Sequence, residues 1–137
     1  HGMYNTFRGR VLAVVREDLQ YRVTVAVPGG HVLTLLLADV ARPSGDIVEG
    51  GEVAVRVSST LMAVSPGARP AAVPDRNVVP AEVFDVIQGR TTAKAILRTA
   101  EGVRLCAVMS LERLARLGLA RSQEAWVSFE PDAVSIV

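Results

Sequence analysis

Residues 103–129 have the sequence VRLCAVMSLERLARLGLARSQEAWVSF, which predicts a strand, one short helix and a second strand. Apolar residues alternate over the first seven positions, the period of a strand with one buried face. Ser110 is a favoured N-cap residue, and Gly118 can adopt the left-handed conformation that ends a helix. We therefore expect a helix at 111–117, followed by an alternating strand in which Ser128 faces outward.

The composition favours short strands around a substantial apolar core. Half of the 137 residues are apolar, and aromatic residues make up only 4%. Valine-rich alternating segments separated by Gly and Pro are typical of all-β domains. The formal net charge of +1 argues against a dedicated nucleic-acid-binding protein, which would carry a basic stripe.

The sequence also excludes several kinds of site. The single cysteine, Cys106, rules out an internal disulfide and a cysteine-based metal cluster, and we expect it to be an inert apolar residue. No nucleophile–base pair or acid dyad is evident, so neither an enzyme nor a cofactor is expected. No apolar run of about 18 residues and no signal peptide are visible, so we expect a cytoplasmic chain.

The first half of the chain predicts five strands without a helix. The strands are expected at 10–15, 20–27, 31–38, 52–57 and 61–64. The third is apolar enough for burial on both faces. A polar excursion at 39–51 is interrupted by Pro and Gly, and the Pro- and Ala-rich segment 66–75 predicts a linker.

The second half repeats the first at a shift of 72 residues. The shift needs no insertion and pairs seven identical residues, among them Asn5 with Asn77. Five short strands in about 65 residues are typical of the partly open OB barrel. We therefore predict an all-β chain with one short helix, built as tandem OB-like five-stranded barrels. The predicted domain limits are 1–65 and 76–137, with the linker at 66–75.

The second half resembles the Mop, or TOBE, family of molybdate-binding domains. Arg76-Asn77 is similar to the end of the family's Ser-Ala-Arg-Asn motif, and LCAVMSLE at 105–112 is similar to Leu-Thr-Ala-Val-Ile-Thr-x-Glu. The first half matches more loosely and looks closer to the TOBE repeats of ABC-transporter ATPases. The resemblance implies a di-Mop arrangement, in which paired OB-like folds bind molybdate or tungstate at interfaces between repeats and subunits.

The resemblance also implies which residues bind the oxyanion. They come from both repeats and are Arg76, Asn77, Ser110, Ser58 and Ser59. Other family ligands are replaced: the opening serine falls on Pro74, the threonine before the helix falls on Ala38 in the first repeat, and a lysine falls on Glu130, which repels an anion. We therefore expect a working site to combine donors from both repeats.

Each of these residues also has an ordinary structural explanation. Ser110 can be an N-cap, Arg76 a surface cation, and Ser58-Ser59 a turn. These explanations stay open beside the binding roles.

Three functions are therefore compatible with the sequence. The first is a cytoplasmic oxyanion-binding regulatory domain, the C-terminal TOBE region of a molybdate ABC-transporter ATPase, with a free molybdate storage protein as the nearby alternative. The second is a structural or dimerisation module that has lost its ligand, and the third is a nucleic-acid-binding OB module. We expect self-association to a dimer or a higher homo-oligomer, a transporter nucleotide-binding domain as partner in the first case, and no direct insertion into a membrane.

Overall fold

The computed structural model describes residues 4–38, 47–71 and 76–137. The strands are β1 (Tyr4–Glu17), β2 (Gln20–Val27), β3 (His31–Ala38), β4 (Glu52–Ser58), β5 (Ala63–Pro66), β6 (Asn77–Gln88), β7 (Thr92–Arg98), β8 (Arg104–Ser110), β9 (Glu124–Phe129) and β10 (Val134–Ile136). The described residues also contain a 3₁₀ turn at Ser59–Leu61 and one α-helix, α1 (Leu111–Leu117). The predicted all-β class with one short helix is confirmed.

Two five-stranded antiparallel sheets form the fold, in the orders β10–β4–β1–β2–β3 and β5–β9–β6–β7–β8. The 72-residue repeat relates each strand of the first sheet to a strand of the second. At one edge of each sheet, however, the strand comes from the other half of the chain. β5 pairs with β9 of the second sheet, and β10 pairs with β4 of the first. The last strands of the two repeats are thus exchanged, and each sheet is completed by a strand from the other half of the chain. The domain limits given above stay a prediction.

The first strand of each repeat serves two neighbours because it bends at a bulge. β1 pairs with β4 through residues 4–10 and with β2 through residues 10–17, and its register shifts between Val11 and Ala13. β6 shows the same shift between Val83 and Asp85, 72 residues later. An extra residue in one strand increases local twist and bends the strand. The two bulges therefore let each sheet curl into an OB-like unit.

The strands of the first sheet alternate between buried and more exposed side chains. In β3, Leu33, Leu35 and Leu37 are buried, whereas Val32 is 54% exposed. The prediction that this strand is buried on both faces is therefore wrong. β3 is the last strand of its sheet, and its outer face is left partly open.

The helix begins and ends as the sequence predicts. The Ser110 hydroxyl caps α1, and Gly118 ends it with a φ of 61°. The prediction that Ser128 faces outward is wrong, because Ser128 is buried. This end of β9 lies where the two units meet: the Phe129 ring stacks on that of Phe7, with centroids 5.7 Å apart.

Some predicted segments are shifted or lie outside the described residues. The strand predicted at 61–64 is observed at Ala63–Pro66, because the 3₁₀ turn occupies Ser59–Leu61. Pro66, placed in the linker, therefore belongs to a strand. Residues 39–46 of the polar excursion and 72–75 of the linker, with Pro74, lie outside the described residues. Over the described ranges, no helix has the length and apolar character needed to cross a membrane.

Candidate functional site

Two asparagine side chains each bind the edge strand of the opposite sheet. Asn5 Oδ1 accepts a hydrogen bond from the Cys106 N–H at 2.6 Å, and Asn5 Nδ2 donates to the Cys106 carbonyl at 2.9 Å. Asn77 makes the same pair of hydrogen bonds with Thr34, at 2.7 and 2.9 Å. Because Cys106 lies in β8 and Thr34 in β3, the last strands of their sheets, each amide satisfies backbone groups that no neighbouring strand pairs.

The two contacts are equivalent under the 72-residue repeat, since Thr34 and Cys106 are separated by the same shift as the asparagines. Both asparagines are almost fully buried. Asn77, a predicted oxyanion-binding residue, therefore has its carboxamide oxygen and one amide hydrogen engaged by Thr34. One further N–H remains for another acceptor. The binding role of Asn77 stays a prediction.

Arg76, the predicted cation of the site, forms an ion pair with Glu130. Arg76 Nη1 lies 2.6 Å from Glu130 Oε1, and the side chains are 23% and 57% exposed, respectively. The carboxylate that we expect to repel an anion thus contacts the guanidinium directly. An oxyanion that binds Arg76 must compete with Glu130 for the same donors.

Ser110 lies at the junction of β8 and α1, where its side chain is exposed. Its hydroxyl oxygen accepts a hydrogen bond from the Arg113 N–H at 3.1 Å, and Glu112 lies in the first helical turn. A carboxylate there stabilises the positive end of the helix. The N-cap explanation of Ser110 is therefore confirmed, and the hydroxyl proton remains able to donate to a ligand.

Ser58 and Ser59 belong to the 3₁₀ turn that follows β4. The Ser58 hydroxyl accepts a hydrogen bond from the Thr60 N–H at 3.4 Å and lies 3.0 Å from the Thr60 hydroxyl, whereas Ser59 is buried. The turn packs against β8, the strand that ends at Ser110. The structure thus brings this turn and the Ser110 strand together, one from each repeat.

The predicted residues nevertheless do not form one connected group. In the described part of the chain, no hydrogen bond or ion pair joins Arg76 to Ser110, Ser58 or Ser59. The repeat relates Glu130 to Ser58, so the Arg76 ion pair and the serine turn occupy equivalent positions in different halves. The position in the second half holds the predicted cation, Arg76, and the position in the first half holds the predicted hydroxyl donors, Ser58 and Ser59.

Sequence reasoning assigned no role to Asn5. The available signal was its identity with Asn77 across the repeat, but that identity does not show that both side chains reach into the opposite unit.

Other chemistry is sparse: the described residues contain no group of three or more side chains suited to holding a metal ion. Burial raises the pKa of the Cys106 thiol, and the positive charge of Lys94 partly offsets this rise. A thiol that keeps its proton is a poor nucleophile.

Comparison with known proteins finds a family match for the second half of the chain and a fold match for the whole chain. Residues 74–136 match the TOBE domain family. No curated protein matches the sequence significantly. Among solved structures, the molybdate-bound crystal structure of the cytoplasmic molybdate-binding protein ModG matches with a TM-score of 0.90 and 20% sequence identity, over 99% of this chain and 96% of that chain. The resemblance to the Mop and TOBE family is thereby confirmed: the second half of the chain matches a TOBE domain, and the whole chain has the fold of ModG.

Proposed function

We propose that this chain is a cytoplasmic binding protein for a tetrahedral oxyanion, molybdate or tungstate, and that it catalyses no reaction. The observation that supports this function is the fold shared over 99% of the chain with a protein described as binding molybdate. The match of residues 74–136 to the TOBE family supports it independently.

In this proposal the oxyanion is held by donors from both repeats or from two copies of the chain. A tetrahedral oxyanion requires several N–H or O–H groups that converge on it, often with a cation. Ser110 and the Ser58–Ser59 turn are the candidate neutral donors, and Arg76 is the candidate cation. Arg76 is already paired with Glu130, so oxyanion binding at Arg76 would displace that carboxylate.

We favour a free binding or storage protein over a regulatory domain of a transporter ATPase. The reason is that the fold matches that of ModG, which is described as a cytoplasmic molybdate-binding protein. The transporter domain remains a second form of the same proposal, and self-association accompanies both forms.

A specific observation favours a ligand-free structural module as the alternative. The Arg76 guanidinium is neutralised by Glu130, and the Asn77 carboxamide is committed to Thr34. Two of the five predicted ligands are thus already used within the fold.

Isothermal titration with molybdate, tungstate and sulfate separates the two functions. We expect molybdate and tungstate to bind, and the variants Arg76→Ala and Ser110→Ala to bind them more weakly than the parent. The matched controls are Arg8→Ala and Ser135→Ala, which change an exposed cation and an exposed hydroxyl elsewhere. Absence of heat at millimolar molybdate, with circular dichroism showing folded protein, would favour the ligand-free module.

A further inference from the structure

A cavity of about 350 Å³ lies between β1 of the first sheet and β7 and β8 of the second. Its lining includes two cations, Lys94 and Arg104, three apolar residues, Ile96, Val103 and Leu105, and Cys106. This volume lies within the range of small-molecule sites and is about ten times the ~30 Å³ share of one water molecule. The cavity is therefore larger than a five-atom oxyanion requires.

The charged residues in the described lining of the cavity are all positive. Lys94 and Arg104 are the charged residues of its described lining, which contains no carboxylate. Lys94 is also the only lysine of the chain, and in the described residues no hydrogen bond or ion pair engages it. The cavity thus holds a lysine charge for which the described residues supply no counter-ion.

Arg104 is held in place by an aromatic ring. Its guanidinium carbon lies 4.7 Å from the centroid of Phe84, and that of Arg98 lies 4.8 Å from the same centroid. Stacking on an aromatic face stabilises a guanidinium and leaves its edge N–H groups able to donate. A cation fixed in this way loses less conformational entropy when it binds an anion.

The equivalent positions of the first unit lack this arrangement. Lys94 corresponds to Arg22, whose Nε lies 2.9 Å from the Glu17 carboxylate, and Arg104 corresponds to Val32. The two positive charges of the cavity are therefore a feature of one half of the chain and not a requirement of the repeated fold.

We propose that this cavity binds a small organic anion. Lys94 binds its phosphate or carboxylate head, Arg104 adds positive charge farther along the sheet, where it lies opposite Arg98, and Ile96, on the same face as Lys94, contacts its apolar body. None of the five residues implicated in oxyanion binding lines the described cavity, so this site is independent of the molybdate proposal. Because Asn5 and Thr6 of β1 complete the lining, the bound anion contacts both units and stabilises their packing.

Phenyl phosphate is the probe, with inorganic phosphate as the reference. Binding is measured by isothermal titration and located by backbone amide NMR shifts, which we expect at Ile96 and Cys106. Lys94→Gln should weaken phenyl phosphate binding about tenfold or more, since it removes a charge-assisted hydrogen bond, and Arg104→Gln, which removes a more distant charge, should weaken it less. Arg22→Gln is the matched control, because it removes the equivalent cation of the first unit, and should leave the affinity unchanged.

Three results would overturn the proposal. They are absence of phenyl phosphate binding at millimolar concentration, unchanged affinity in both cavity variants, and NMR shifts confined to other parts of the protein. Equal affinity for inorganic phosphate would overturn the role of the apolar wall. Molybdate titrations of the same variants distinguish this site from the proposed oxyanion site, since their molybdate affinity should equal that of the parent.

Discussion

Asn77 binds the backbone of Thr34 with both ends of its carboxamide, and Asn5 binds Cys106 in the same way 72 residues along the repeat. The two asparagines therefore act as a symmetrical pair of clamps between the sheets. Each takes the place of a missing strand at a sheet edge, where an unpaired backbone would otherwise be exposed to another chain.

Replacing either asparagine should destabilise the protein. Asn77→Ala leaves the Thr34 N–H and C=O without their partner, and a buried polar group without a partner costs about 1–3 kcal/mol. We expect a loss of that size in the free energy of unfolding, measured by urea denaturation, and a similar loss for Asn5→Ala. Asn77→Asp keeps the acceptor but loses the donor while its carboxyl is ionised, so its loss should be smaller at a pH where the carboxyl is protonated and can again donate to the Thr34 carbonyl. Gln88→Ala, at an exposed position, is the control; equal stability of Asn77→Ala and this control would contradict the clamp.

Neutralising Glu130 should strengthen oxyanion binding. Glu130→Gln removes the carboxylate that lies 2.6 Å from Arg76 and frees the guanidinium for a ligand. We expect tighter molybdate binding in isothermal titration and a stability change of no more than about 1 kcal/mol, because ion pairs near the surface contribute little. Glu101→Gln, an exposed carboxylate on another turn, should not change the affinity. An unaltered molybdate affinity in Glu130→Gln would show that Arg76 does not bind the oxyanion.

Removing β10 should reduce the protection of β4 against hydrogen–deuterium exchange and leave that of β9 unchanged. A chain ended after Ala133 lacks the strand that pairs with β4, since Val134 and Ile136 lie opposite Val57 and Val55. We expect faster hydrogen–deuterium exchange in peptides covering Glu52–Ser58, measured by mass spectrometry, with the exchange of Glu124–Phe129 unchanged. The Ser135→Ala variant, which changes an exposed hydroxyl and leaves β10 in place, is the control. Loss of protection in β9 instead would show that the last strands are not exchanged.

The Cys106 thiol should make stability fall at alkaline pH. Burial raises its pKa above the ordinary value of 9.0, so the folded protein keeps a proton that the unfolded chain releases. Between pH 9.0 and the folded pKa the unfolded state binds fewer protons, and the free energy of unfolding decreases as pH rises. Urea denaturation across this range should show a shallower decrease in Cys106→Ala than in the parent. Identical slopes would mean that Cys106 does not contribute.

Local features of the fold could be predicted from the sequence because their causes are local. The period of residues 103–109, the hydroxyl of Ser110 and the permissive backbone of Gly118 lie within a few positions of the structure that they determine. The helix and its flanking strands therefore followed from sequence alone.

The strand exchange could not be predicted in the same way. β5 and β10 are both short, and each faces two equivalent edges, β4 and β9, that the repeat makes alike. Which edge a strand joins depends on the path of the linker after Pro66 and on packing between the units, neither of which has a local sequence signal. The same limit applies to the site, because Glu130 reaches Arg76 only through pairing of distant segments.

The exchanged strands also constrain how the protein is made. While the chain is being synthesised, β4 emerges from the ribosome long before Val134–Ile136, the strand that covers its edge. The first sheet therefore stays incomplete until almost the whole second unit has been synthesised. During that interval the edge of β4 is open to another nascent copy, so neighbouring ribosomes on one messenger could assemble the same sheet between two chains.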